Sequence, residues 1–226
     1  MRSSWQKLII SMITKFGLGF LIIGIVLFIS AGSLSYVNGW VFILALAIPM
    51  AIFGIFLLIR DPAALARRLI SKEPDKKQRK IIVLSGLMFI LVFVISGMDY
   101  RFGWSPMPFF ISLTALIIML LGYGVFVAVM TQNPYASRVV DVYDDQKITT
   151  HGLYSLVRHP MYSATLLIYL SIPFILGSWF AVIPMLIYPI VLVRRIKYEE
   201  ALLIKELSGY SEYKNKVKYR LMPFIW

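Results

Sequence analysis

An all-α, polytopic transmembrane bundle of about six spans is the fold this sequence predicts, and three observations carry that reading. Of 226 residues, 59% are hydrophobic and only 15% are charged, where soluble domains run near about 45–50% and about 25%. Mean hydropathy is +0.79. The charges fall almost entirely between long apolar runs. Together these exclude disordered, coiled-coil and ordinary soluble classes.

The runs can be taken in order against the roughly 20 residues that cross a hydrocarbon core. Phe16 to Ala31 is short, and with no trustworthy cleavage signature after it, it reads as a retained span. Trp40 to Ile59 carries no charge. Ile81 to Met98 and Pro106 to Met130 follow. Met161 to Val193 is different: its 33 residues would make a single helix about 50 Å long, well beyond a roughly 30 Å core. It contains Pro173, Gly177, Ser178, Pro184 and Pro189. These breakers predict a tight helical hairpin turning near Gly177–Trp179, its ends extended by polar flanks. One long kinked helix, giving five spans, is the alternative. Residues 1–130 then form a four-span membrane region, and residues 131–226 a separate unit of loop, hairpin and tail.

Lys and Arg set the orientation. Residues 1–15 hold three, 60–80 hold eight, 131–160 hold three and 194–226 hold eight, whereas the opposite loops hold only Arg101. Both termini are therefore expected in the cytoplasm, in a multi-pass protein of the cell membrane. The net charge of +12 is read as orientation and lipid contact, not as a nucleic-acid surface. With no cysteine and only His151 and His159, thiolate metal sites, disulfides and all-histidine metal sites are excluded. No Gly-rich nucleotide fingerprint, P-loop, HExxH or Ser/His/Asp spacing occurs.

Polar residues gather in three blocks. Arg60–Lys80 reads as an interfacial loop whose cations meet lipid headgroups. Thr131–Tyr162 holds breakers at Asn133-Pro134, Asp144-Asp145 and His151-Gly152, with Val139–Tyr143 and Lys147–Thr150 as short extended segments. A long irregular loop that re-enters a helix is more often functional than decorative. Pro160 suits the first turn of that helix. Arg158 and His159 then lie at its amino end, where free N–H groups favour an anionic group; headgroup contact for Arg158 and a capping role for His159 are the simpler readings. Tyr162 shares the face of His159. In Arg194–Trp226, Arg195 and Glu199 are four apart and can pair, Glu200 points about a quarter-turn away, and Ser208-Gly209 breaks the helix. Tyr210, Tyr213 and Val217 repeat at helical spacing and read as packing residues.

The last two blocks resemble the isoprenylcysteine carboxyl methyltransferase family of integral membrane methyltransferases. The matching residues are Gly152-Leu153-Tyr154, Arg158-His159-Pro160-Met161-Tyr162, Arg195, Glu199-Glu200, Gly209-Tyr210-x-x-Tyr213 and the tail Val217 to Pro223. Arg60-Asp61-Pro62 through Arg67-Arg68-Leu69 looks like prokaryotic members. The resemblance implies S-adenosylmethionine as methyl donor and a lipophilic acceptor, such as the carboxylate of a prenylated cysteine, with no metal. It assigns the cofactor to Gln146, Lys147, Ile148, Thr149, Tyr154, His159, Pro160, Met161, Tyr162 and Glu199. It makes Arg195 the substrate-orienting cation, so that Arg195 and Glu199 carry the catalysis. Leu153 departs from the proline common there.

The residue types suit that chemistry. Methyl transfer from a sulfonium is an in-line displacement in which alignment does most of the work. A carboxylate acceptor is ionised near neutral pH and needs no general base; it needs an orienting fork, which an arginine offers. Two rivals stand beside this reading. One is an NADPH-dependent membrane reductase of the sterol-reductase-like type. The other is a non-catalytic membrane scaffold.

Overall fold

The computed structural model describes residues 2–69, 75–136 and 146–226. The described chain is helical throughout, a membrane helical bundle with no strand among its described residues. Its elements are α1 (Arg2–Ala31), α2 (Val37–Arg60), α3 (Pro62–Arg68), α4 (Lys76–Phe102), α5 (Phe109–Gln132), α6 (Pro160–Ile175), α7 (Val182–Met185), α8 (Ile187–Glu206) and α9 (Tyr210–Lys216). Val139–Tyr143 and Asp144-Asp145 lie outside the described residues. Residues 147–150, expected as an extended segment, form irregular backbone with no strand pairing.

Four helices are long and apolar enough to cross a membrane: Trp5–Ala31, Val37–Arg60, Gln78–Phe102 and Phe109–Gln132. Two overrun the apolar runs read from sequence. α1 continues back through Lys15, whose Nζ donates to the Leu69 carbonyl; a lysine can lay its stem along apolar surface and carry its charge to a polar partner. α4 continues through Asp99, which is buried. The carboxylate is tolerated there because three donors meet it. The Ser105 N–H lies at 2.8 Å and the Ser178 hydroxyl at 2.5 Å, and the Ser105 hydroxyl is the third.

The last apolar stretch is a hairpin, not one kinked helix. α6 ends at Ile175, and Gly177 turns the chain with φ +78°. That left-handed backbone suits glycine, and a Cβ there would come within 2.8 Å of the Asn38 side chain. α7 and α8 return antiparallel to α6. Tyr188 Oη donates to Thr165 Oγ1 at 2.8 Å, and the Tyr169 and Tyr188 rings meet edge-on at 5.0 Å. Three bonds pin the tip to the rest of the bundle: Ser178 to Asp99, the Trp179 N–H to Ser105 Oγ at 3.1 Å, and Tyr36 Oη to the Leu176 carbonyl at 2.5 Å. The arms are shorter than full spans, since α6 has 16 residues, about 24 Å of rise.

α6 lies most extensively along α5. Gly122 allows this, because a Cβ there would stand 2.9 Å from Ile168 Cγ1. α1 packs along α4, where Gly97 meets the Leu27 and Ala31 backbone of α1. One apolar core of buried residues runs from Leu27 and Phe42 through Val92 and Met119 to Ile172 and Ile196. The amino ends of α1, α4 and α6 and the carboxyl ends of α2, α5 and α8 share one end of the bundle, the basic end. It is there that the polar blocks converge.

Candidate active site

The site is built where α5 stops and α6 starts. α5 ends at Gln132, and the chain returns at His151 to form a short 3-10 turn over Gly152–Ser155. Gln132 Oε1 accepts the Leu153 N–H at 2.9 Å and would stand 2.4 Å from a Cβ on Gly152, whose φ is +59°. Both the backbone angle and the space demand glycine. The turn presents Tyr154 inward. Asn133 Nδ2 donates to its hydroxyl at 3.0 Å, and its carbonyl accepts from Tyr213 Oη at 2.7 Å. Burial pushes the Tyr154 phenol up to about 12, so it stays protonated at neutral pH.

Pro160 occupies the first turn of α6, as its fixed φ favours. The two residues before it pair with the tail. The Arg158 N–H donates to the Tyr219 carbonyl and the His159 N–H to the Arg220 carbonyl, each at 2.9 Å. Arg158 is buried, and it touches protein, not lipid headgroups. Its Nε donates to Glu200 Oε1 at 2.7 Å, and its Nη1 donates to the carbonyls of Val217 at 2.6 Å and Lys218 at 2.8 Å.

Glu200 is the hub. Sequence spacing placed it to one side; the fold buries it to 4% exposure. Besides Arg158, it accepts from Arg220 Nε at 2.9 Å and lies 3.3 Å from His159 Nε2. Burial would raise its pKa, but the hydrogen bonds from His159, Arg158 and Arg220 outweigh it and hold the carboxyl well below the usual range. His159 does not cap α6 with its side chain. Its ring turns inward, with Nδ1 3.9 Å from Glu199 Oε1.

Glu199 and Arg195 are joined through a third residue. The Tyr162 hydroxyl donates to Glu199 Oε2 at 2.5 Å and accepts from Arg195 Nε at 2.9 Å. The Arg195 guanidinium also lies 6.0 Å from the centre of the Tyr162 ring. One phenol therefore fixes an acid and a cation one turn apart on α8.

These groups surround an open cavity of about 800 Å³, its mouth included. One wall is the strip Gln146, Lys147, Ile148 and Thr149; another holds Tyr154, His159, Met161 and Tyr162; α8 supplies Glu199 with Leu202, Leu203 and Leu207. So the residues assigned to a cofactor by resemblance converge on the cavity, except that Pro160 lies off the wall; Arg195, assigned to the acceptor, lies off it too. Arg195 is a turn nearer the apolar part of α8.

Sequence reasoning missed Asn133, Tyr135 and the α8 leucines. The leucines were findable: residues 199, 202, 203 and 207 share one helical face. The clasp of Arg158 and Arg220 on Glu200 was not, since it joins residues 20 and 42 positions from the glutamate. The Arg60–Lys80 block also does more than meet lipid. On α3, Arg67 Nε donates to the Pro134 carbonyl at 3.3 Å and Arg68 Nη2 to the Met130 carbonyl at 3.1 Å. α3 thereby braces the end of α5 behind the cavity.

A family model described as phospholipid methyltransferase matches residues 110–208. Two relatives, from Oryza sativa subspecies indica and japonica, are each named probable protein-S-isoprenylcysteine O-methyltransferase. Each is 34% identical over 125 residues, covering 51% of this chain and 63% of the relative. The match thus spans less than two thirds of those relatives' length. The solved structure of a eukaryotic intramembrane Ras methyltransferase, isoprenylcysteine carboxyl methyltransferase, aligns over 98% of both chains with a TM-score of 0.50 and 17% identity. That likeness shows a common fold. The chain thus shares the fold of that solved membrane methyltransferase, and its residues 110–208 match the phospholipid methyltransferase family model.

Proposed function

We propose that this protein transfers a methyl group from S-adenosylmethionine to the carboxylate of a lipophilic acceptor, a prenylated cysteine or a related small hydrophobic acid. The observation that carries the proposal is the Arg195–Tyr162–Glu199 chain. It sets a cation for an acceptor about 6 Å along the helix from an acid on the cavity wall.

The cavity suits such a donor by the chemistry of its lining. A zwitterionic nucleoside needs an anionic partner for its ammonium, polar groups and an apolar wall. Glu199, Asn133, Thr149 and the α8 leucines supply them. The bound donor supplies an electrophilic methyl on a positively charged sulfur. Glu199 would pair the ammonium, and Tyr154 and Tyr162 would close the wall beside it. Arg195 would present two parallel N–H groups to the acceptor carboxylate and hold one oxygen in line. No proton needs to move, because the acceptor is ionised near neutral pH.

Calorimetric titration of the detergent-solubilised protein with S-adenosylhomocysteine and with NADPH tests this. Binding of the first alone is expected; preferential NADPH binding would replace the proposal with the reductase reading.

We place the basic end, and with it the cavity, in the cytoplasm of a cell-membrane protein, on the distribution of Lys and Arg. The chain has no cysteine, so single cysteines report sidedness. Ser178 is buried and would not label, but Ser35 and Trp179 at the far end and Ser211 at the basic end are exposed. Cysteines at 35 and 179 should react with an impermeant maleimide on intact cells, and one at 211 only after permeabilisation. The reverse pattern would invert the protein.

A further inference from the structure

Two tyrosines stand one helical turn apart on α9 and both line the cavity. Both are buried, Tyr210 to 4% and Tyr213 to 5% exposure. Their hydroxyls differ. Tyr213 Oη donates to the Tyr154 carbonyl at 2.7 Å, which ties α9 to the Gly152 turn. Tyr210 Oη has no hydrogen-bond partner among the described residues, though it is cut off from solvent. A buried hydroxyl without a partner costs free energy that a phenylalanine of the same shape would not. Packing alone therefore explains Tyr213 and leaves the Tyr210 oxygen unexplained.

The surroundings narrow what that oxygen is for. Burial, reinforced by Glu200 and Glu199, holds the phenol protonated well above its ordinary range, so its oxygen keeps a proton to donate at any physiological pH. Glu200 is already committed to Arg158, Arg220 and His159. Glu199 is taken up by Tyr162. The Tyr210 hydroxyl is left over beside two carboxylates that already have partners.

We infer that Tyr210 is a ligand-contacting residue, its hydroxyl held in the cavity wall to donate a hydrogen bond to an acceptor atom of the bound methyl donor. The inference rests on the proposed cofactor and adds to it a residue from the tail, beyond the α6 and α8 groups. It also gives the tail a role in the ligand-bound state. The clasp on Glu200 sets the base of α8, α9 springs from its end, and α9 brings the Tyr210 donor to the cavity.

The test uses the full chain in detergent, the paired variants Tyr210→Phe and Tyr213→Phe, and two readouts. One is melting temperature without ligand; the other is affinity for S-adenosylhomocysteine by calorimetry. Tyr210→Phe should melt at or above the wild-type temperature, because it removes an unsatisfied polar group. It should bind S-adenosylhomocysteine about tenfold more weakly, the scale of one lost hydrogen bond. Tyr213→Phe should melt lower, because it breaks a made bond. Wild-type affinity in Tyr210→Phe would overturn the assignment and return the residue to packing. A lower melting temperature in Tyr210→Phe would overturn it as well, by showing that its oxygen is satisfied without ligand. If the wild type itself binds no S-adenosylhomocysteine, the cofactor proposal falls and takes this inference with it. The two failures are thus distinguishable in one data set.

Discussion

Glu200→Gln should destabilise the protein by about 3–5 kcal/mol, the cost of breaking a buried ion pair from one side. The reason is the company it keeps. Arg158 is buried and donates to Glu200 at 2.7 Å, and Arg220 donates to the other carboxylate oxygen at 2.9 Å. A neutral amide cannot balance either guanidinium, and the Arg158 charge would be left stranded. The tail would lose its anchor, and α9 would lose its fixed position on the cavity. Glu199→Gln should change melting far less, since that carboxylate faces the open cavity and meets a neutral phenol. Thermal melts of the two variants decide the matter; equal shifts would mean that the clasp contributes nothing.

The same geometry fixes a pH dependence. The folded-state pKa of Glu200 lies below its ordinary value of 4.5. Its contribution is therefore complete above pH 4.5 and is lost as pH falls from there toward the lower folded-state value. Melts followed from pH 7 to pH 3 should show an acid loss of stability that Glu200→Gln flattens.

Arg195→Ala should lower methyl transfer by about 10²-fold or more while leaving affinity for S-adenosylhomocysteine nearly intact. An acceptor without its orienting fork is misplaced, and small misplacements cost rate on that scale. Lysine should rescue poorly, because a point charge lacks the planar pair of donors. Glu199→Gln should do the opposite and weaken cofactor binding by about 1–3 kcal/mol, the loss of a hydrogen bond to a charged group. Because the Tyr162 hydroxyl bonds both side chains, Tyr162→Phe should damage both properties together. A solvated surface ion pair would instead give slight, equal effects in every variant. Cofactor titration and single-turnover methyl transfer, measured on the same preparations, separate these outcomes.

The membrane class was legible because lipid leaves a blunt signature: uncharged runs of span length. The hairpin was legible for a related reason, since Met161 to Val193 is too long for one span and carries its own breakers. The positions of Asp99 and Lys15 inside helices were not, because run-counting stops at a charge whether or not the fold supplies partners. Cavity-wall residues close in sequence, such as His159, Met161 and Tyr162, were legible as a motif. Glu200, which the spacing placed only a quarter-turn from Glu199, is the buried one of the pair. Helical spacing tells which residues share a face but not which face is buried. What buries Glu200 is a tail that returns to Arg158 and His159 through backbone bonds, and no local pattern announces it.

The short hairpin makes the bundle uneven toward its lipid. α1, α2, α4 and α5 have 24 to 30 residues each, enough to cross about 30 Å of hydrocarbon with tilt. Between Trp179 and Arg194 the wall formed by α7 and α8 offers only about 22 Å of apolar rise. On that side the bilayer must thin, or headgroups must dip, for the charges beginning at Arg194 to stay wet. Arg195, next in the chain to Arg194, would lie under such a dip. A long-chain acid resting in such a dimple has its carboxylate lowered to the level of the guanidinium while its tail stays among acyl chains. Under the proposed methyl transfer, such a mismatch would assist delivery of the acceptor and tie turnover to the thickness of the membrane.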